Sequence, residues 1–408
     1  MADHTHIVIG GGISGLSAAH YSVHAGIDTL LLEAAERPGG CIQSTAFDQL
    51  DGFWVEAGGH TCFNSYGNLL GIMEQLGLLG LTQAKAKRSY KLWVEGERRG
   101  ILSALHPLEL AVSLPGLFRV KKEGKRVVDY YGKVLGSKNY RDLFGPAFRS
   151  VVCQDADDFP AEALFRKKPR RKDVLRAFTM PGGLSDIPRG IAEQPGLTTR
   201  FGTRAEVITR DGDGFEIALQ DGTRLRSERL TLAVPPDAAH ELLSGVAPDA
   251  ADAIRDLGVA EIDTLVMVFE RAKVGVDEIA GLISVDAPFR SAVSRDFLAD
   301  AHYRGFAFHF PAGQLDERER EQAACQAIDA RPDDAAAIIH VRNRLPALRA
   351  GHMEKVKALD AALRGTRLAV TGNWFLGVSI EDCVTRSRTE HERLFGPIAN
   401  PALSAAAG

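Results

Sequence analysis

The sequence predicts an α/β protein built on a Rossmann-like dinucleotide-binding unit, and three features of residues 6–40 carry that expectation. The run His6-Ile7-Val8-Ile9 is short, β-branched and apolar, as a strand buried on both faces should be. It enters Gly10-Gly11-Gly12-Ile13-Ser14-Gly15, which satisfies G-x-G-x-x-G. Ile13, Leu16, Ala19, His20 and Val23 then recur at helical spacing, Gly26 ends the helix, and residues 28–32 read as a second strand closing on Glu33.

Each part of that unit has a physical job. Gly10 allows the tight turn, Gly12 lets backbone approach a pyrophosphate, and Gly15 lets helix and strand pack closely. The helix start at Ile13 and Ser14 supplies free N–H groups and the positive end of the helix dipole. Glu33, 18 residues after Gly15, suits a ribose hydroxyl and disfavours a 2′-phosphate. These residues by themselves do not separate NAD from FAD.

The next residues do. Glu33-Ala34-Ala35-Glu36-Arg37-Pro38-Gly39-Gly40 resembles the E-x(3)-R-x-G-G signature of the flavin amine oxidase and protoporphyrinogen oxidase superfamily. The resemblance implies FAD, with the Gly39-Gly40 turn under its pyrophosphate. Members often place Arg after the two glycines. Cys41 stands there in this chain, leaving only backbone donors, a departure that the porphyrinogen-oxidising branch tolerates.

Composition is that of an ordinary globular chain: 408 residues, 45% apolar and 25% charged. That length suits two domains. A net charge of −4 gives no reason to expect a nucleic-acid partner. The five cysteines (Cys41, Cys62, Cys153, Cys325 and Cys383) are scattered without C-x-x-C, which reads as reduced thiols, no metal site and a cytoplasmic setting. With a strand by residue 6, no signal peptide is expected. Nor is a transmembrane helix, since residues 69–79 are broken by Glu74 and Gln75 and read as a half-buried helix.

Residues 47–56 read as two short strands around Asp51-Gly52. They lead to Glu56-Ala57-Gly58-Gly59-His60, which resembles the superfamily stretch that lets the isoalloxazine ring sit close to bare backbone. Residues 85–175 are charge-rich, with basic runs at 119–126 and 166–172. Solvated loops, contact with an anionic membrane surface and capture of carboxylate-bearing substrates all fit such runs. Residues 178–184 resemble the porphyrinogen oxidase pattern F-x-x-x-G-G-L, in which Gly182 and Gly183 let backbone pass near flavin or substrate. A meander follows over 205–234, divided by Asp-Gly turns, and the family match places the backbone of Val207 at the adenine. Strands are expected at 264–269, 281–285 and 305–310, then helical stretches rich in charge and alanine.

Near the C-terminus, residues 369–383 resemble the porphyrinogen oxidase segment G-N-x-x-x-G-V-S-I-x-D-C. The resemblance brings Gly372 and Asn373 to the pyrophosphate. Backbone at Gly377 and Val378 faces the flavin, and Ser379 is an N-cap with Glu381 and Asp382 in the first turn. Trp374 and Phe375 are placed on the substrate side. No cysteine lies in residues 345–352, so the FAD is expected to be non-covalent.

Taken whole, the resemblance implies a glutathione reductase-type FAD-binding domain from residues 1–84, 176–260 and 346–408. An interleaved α+β substrate domain is expected from 85–175 and 261–345. The implied chemistry is hydride removal from carbon adjacent to nitrogen, from a small-molecule substrate, with oxygen as one acceptor the family uses. Four activities stay open: protoporphyrinogen oxidase-like oxidation, oxidation of a small cyclic amine or imine, carotenoid-type desaturation, and a binding role for the flavoprotein. No catalytic base is assigned. Peripheral membrane contact stays open.

Overall fold

The computed structural model describes residues 2–398. Its organising element is a parallel sheet in the order Leu197–Arg200, Thr29–Leu32, His4–Ile9, Arg224–Leu232, with Leu368–Val370 paired beyond. All four residues of the second strand and Ile7 to Ile9 of the first are buried, as continuous apolar runs demand. The helix Ile13–His24 covers one face together with Ile380–Phe395, and Gly26 closes the first helix in the left-handed region. The meander appears as expected: Ala205–Asp211 and Gly214–Leu219 extend the sheet antiparallel from Arg224–Leu232.

A second sheet runs Ala335–Ala347, Gly258–Glu270, Tyr303–Pro311, Ser291–Ser294, Gly281–Ser284, Tyr90–Val94, Glu97–Gly100. Residues 90–94, far away in sequence, pair in parallel with 281–284. The chain therefore threads between the two sheets more than once. Two of these strands depart from expectation. Residues 335–347, alanine-rich and charged, form a strand paired along most of Gly258–Glu270 rather than a helix. The partner strand overrides local propensity there. Ser291–Ser294 is too short and polar to show in the sequence pattern.

The hairpin of Ser44–Phe47 and Phe53–Glu56 joins the two halves, with Asp51 and Gly52 both at positive φ in its turn. Phe47, Phe53 and Val55 pack with Val266, Val268 and Ala307 of the second sheet. On its other edge, Ser44 donates to the Glu56 carboxylate at 2.7 Å, and Glu56 also accepts from Leu184 N–H at 2.8 Å. Burial pushes that carboxyl up to about 7 despite both donors.

One buried ion pair fixes the far side of the second sheet. Arg304 donates from Nε and Nη2 to Asp296 at 2.9 and 2.6 Å, and its remaining donors reach the Val276 and Asp277 carbonyls. Asp296 also accepts from Ile279 N–H at 3.0 Å. Removing one partner strands the other charge in the core. Asp296→Ala should therefore lower unfolding free energy in urea by about 3–5 kcal/mol. A loss below 1 kcal/mol would show that this region relaxes around the guanidinium.

Candidate active site: one cavity between the two sheets

A large cavity of about 850 Å³ lies between the sheets. One end is walled by backbone. Gly10, Gly12, Ile13 and Ser14 contribute from the first turn, and Glu33 and Ala34 from the end of the second strand. Gly39, Gly40 and Cys41 add the next turn, Ala57 to His60 the loop after the hairpin, and Gly372, Asn373, Val378 and Ser379 the C-terminal segment. Segments more than 300 residues apart in sequence thus meet at one wall.

Local geometry explains the convergence. Gly39 N–H donates to the Gly11 carbonyl at 2.8 Å, and Gly40 crosses close above Gly12; both turn glycines have positive φ. A Cβ on Gly15 would overlap the Gly10 carbonyl oxygen, so that glycine serves helix–strand packing, away from the cavity. A Cβ on Gly12 would meet nothing within 4 Å and would project into open space. The Glu33 carboxylate accepts from Gly11 N–H at 2.5 Å and from Ala35 N–H at 2.8 Å, so its orientation is fixed before any hydroxyl arrives. Ser379 caps the helix Ile380–Phe395 in a reciprocal box with Asp382. Glu381 turns away and accepts from Asn68 and Leu69 N–H, capping the helix Gly67–Gln75. Two helix N-termini, at Ile13 and Ile380, therefore border the same space.

Several expected residues lie elsewhere. Arg37 does not line the cavity; its guanidinium binds the carbonyls of Pro38, Gly40 and Ile42 and holds the glycine turn in shape. Gly377 is off the wall, at a place where a Cβ would run into Asp382 and the Ala163 carbonyl. Val207 sits on the exposed side of a bulged strand, and Thr203, Arg204 and Ala205 line the cavity in its place. Trp374 and Phe375 are not on the substrate side. They stack on each other at 4.0 Å in the core, where Trp374 donates to the Val234 carbonyl and Arg386 lies over Phe375. Gly182 and Gly183 also fall outside the cavity, pressed against Asp186 and Ser44 beside the hairpin.

The other end of the cavity draws on the second sheet and the helix Gly145–Val152. Its walls include Ala147, Val151, Leu282, Ile283, Val293 and Leu345, with Ser150, Ser291, Thr264 and His309 as polar points. A buried relay crosses it. Asn343 Nδ2 donates to the Ala57 carbonyl and to Thr264 Oγ, both at 2.9 Å, which leaves the Thr264 hydroxyl proton for His309 Nδ1 at 3.1 Å. His309 must then donate from Nε2 to His60 Nε2 at 3.0 Å. Burial holds His60 well below the usual range and His309 at about 4, so both rings are neutral at pH 7. Lys85, lowered to about 8 by burial, anchors the loop by donating to the His60 carbonyl and Thr61 Oγ, both at 2.7 Å. His309 was the signal available in sequence, a polar residue inside the otherwise buried strand Tyr303–Pro311; Asn343 lies between exposed Arg342 and Arg344 on a half-buried strand, and nothing in the spacing linked either to His60.

A model for "Flavin containing amine oxidoreductase" matches residues 13–132 and 130–294. The chain belongs to that family. It is an FAD-dependent oxidoreductase. The chain is similar to coproporphyrinogen III oxidase of Bacillus subtilis, 21% identical across 94% of this chain and 96% of that one. It is equally similar to protoporphyrinogen oxidase of Bos taurus, 21% identical across 97% and 99%. The bovine alignment runs over 478 positions against 408 residues here, so the longer enzyme carries insertions relative to this chain. A crystal structure of a protein described as a protoporphyrinogen oxidase of Exiguobacterium has the same fold, with a TM-score of 0.78 at 17% identity over 96% of this chain and 98% of that one.

The cavity fits FAD: open space at Gly12, two helix N-termini and a preset Glu33 carboxylate suit a dinucleotide with free ribose hydroxyls. The geometry separates two glycines of one motif. Gly12→Val should fold but purify colourless, because its side chain fills only ligand space. Gly15→Ala, compared as apoprotein, should lose about 1–3 kcal/mol by overpacking. Equal yellow colour in Gly12→Val and wild type would contradict this assignment.

Proposed function

We propose that the protein oxidises a compact, uncharged substrate at a carbon adjacent to nitrogen, a small cyclic amine or imine. The observation that carries this is the missing charge in the second half of the cavity. Of the charged residues that line the cavity, Glu33 and Arg204 border its nucleotide end, and Arg344 is paired with Asp237. The basic run at 166–172 does not line it. Lys168 is bound to Asp382 at 2.8 Å, and Arg171 is paired with Glu74 and Asp173. A porphyrinogen with several carboxylates would leave them without cationic partners in an apolar enclosure. Similarity along nearly the whole length to two porphyrinogen oxidases favours the second reading, oxidation of a porphyrinogen. A total of about 850 Å³ shared between cofactor and substrate favours the smaller molecule, since ligand sites of roughly 300–1,000 Å³ hold one drug-sized ligand.

In this reading the described residues of 1–84, 176–260 and 346–408 form the FAD-binding unit, and 85–175 with 261–345 the substrate unit; residue 1 and residues 399–408 lie outside the described residues. FAD, held non-covalently, supplies the hydride acceptor. The chain supplies the rest. Bare backbone at Ala57 to Gly59 admits the ring, and aliphatic side chains exclude water. The neutral His60–His309 pair keeps a positively charged amine out, so that the substrate enters as the free base.

Anaerobic stopped-flow bleaching of the flavin, which needs no choice of electron acceptor, tests the substrate class. Uncharged cyclic amines should bleach it, with a rate rising as pH approaches the amine's pKa, and coproporphyrinogen III should not. Neutralising Arg170, Arg171 and Lys172 together should leave KM unchanged within about twofold at low salt. Bleaching by coproporphyrinogen, with KM raised in the triple variant, would transfer the assignment to the porphyrinogen reading. Acid precipitation should release all the flavin to the supernatant.

A further inference from the structure

Residues 107–118 carry large apolar side chains that the fold does not cover. Neither the helix Pro107–Ser113 nor the turn Leu114–Phe118 has a buried residue. Leu108 and Val112, one helical turn apart, are 84% and 82% exposed, and Phe118 is 94% exposed. Scattered exposed apolar residues are ordinary; three side chains this bare within eleven positions are not.

The neighbouring charge is mainly basic: Glu109 is turned inward onto the Lys138 and Asn139 N–H groups, and Glu123 is the one exposed carboxylate in the run 119–126. Arg119 and Lys121 follow Phe118 directly, both exposed and without an ion-pair partner among the described residues. Lys122 donates to the Leu164 carbonyl, which seats this turn beside the second basic run. There Phe165, 58% exposed at positive φ, precedes exposed Arg166 and Lys167. The two basic runs, separate in sequence, are thus brought together at Lys122 and Leu164. Apolar anchors rimmed by unpaired cations complement an anionic bilayer surface, where anchors enter the headgroup boundary and cations meet phosphates. They complement a second copy of this face less well, since the cations in excess would be set against one another.

The cavity opens nearby. Phe165 lies 5.5 Å from Phe148 of the helix Gly145–Val152, and Val151 of that helix both lines the cavity and is 51% exposed. We propose that the face formed by Leu108, Val112, Phe118 and Phe165, rimmed by Arg119, Lys121, Arg166 and Lys167, docks on an anionic lipid bilayer beside the cavity mouth. No helix of the described residues is long and apolar enough to cross a membrane, so the attachment is peripheral and reversible.

Flotation of the FAD-loaded protein with vesicles decides the matter and requires no substrate. Wild type should float with phosphatidylcholine vesicles containing phosphatidylglycerol, and far less with phosphatidylcholine alone. The triple variant Leu108→Ser, Val112→Ser, Phe118→Ser should reduce partitioning on the order of tenfold or more. Lys121→Glu with Lys167→Glu should reduce it by a similar factor at low salt, with the difference shrinking as salt is added. Flavin content and Tm should be unchanged in both, because none of these side chains is buried. Wild type that stays at the bottom of the gradient overturns the proposal, as does a triple variant that floats normally. So does a concentration-dependent dimer that the triple variant abolishes, since a second copy would then be the occupant.

Discussion

The structure depends on one steric constraint: several distant stretches of backbone must approach the same point without side chains between them. A Cβ at Gly10, Gly15, Gly39 or Gly58 would run into a neighbouring backbone carbonyl, whereas Gly12 faces the space left for a ligand. Gly40 passes directly over Gly12, the bridge from Gly39 to Gly11 locks the crossing, and Gly372 reaches the same cavity from the end of a strand paired to Arg224–Leu232. Everything else positions those strands. The parallel order brings both helix-bearing turns to one edge of the first sheet, and the hairpin at 44–56 turns the chain toward the second. Side-chain contacts then secure the crossing from outside, through Arg37 on the turn carbonyls and Glu33 on Gly11.

The second constraint is electrostatic. Burial at the far end of the cavity lowers both histidines, and the hydroxyl and amide behind them set each ring's tautomer. A relay with one donor per link and no free charge favours a neutral guest over an ionic one. The cations in residues 166–172 were the part of the sequence that suggested an anionic substrate. Lys168 and Arg171 are spent on Asp382, Glu74 and Asp173, holding the insertion against the FAD-side helices.

Legibility in the sequence followed the range of the forces involved. The first strand, turn and helix, the Asp51-Gly52 hairpin, the meander and the Ser379 cap are set by neighbours a few residues away, and each is where the pattern placed it. Gly10, Gly39, Gly40 and Gly58 were legible because close backbone leaves no room for a side chain there, and Gly12 because a ligand needs the space. Side-chain direction inside a turn was not. Trp374 and Phe375 follow cavity residues directly but point into the core, where Val234 and Arg386 receive them. The strand 335–347 was hidden because its stability comes from a partner some 80 residues earlier, and Asn343 and the His60–His309 contact with it.

The most direct measurement is a crystal structure of the FAD-loaded protein. The account predicts the pyrophosphate against Gly12 and Gly372, a ribose on Glu33 and the ring beside Ala57 to His60. The space left over should be bounded by Ala147, Val151, Leu282 and Val293, with no cation among its walls. A ring turned away from His60, or remaining space bordered by the basic residues of 166–172, would contradict it.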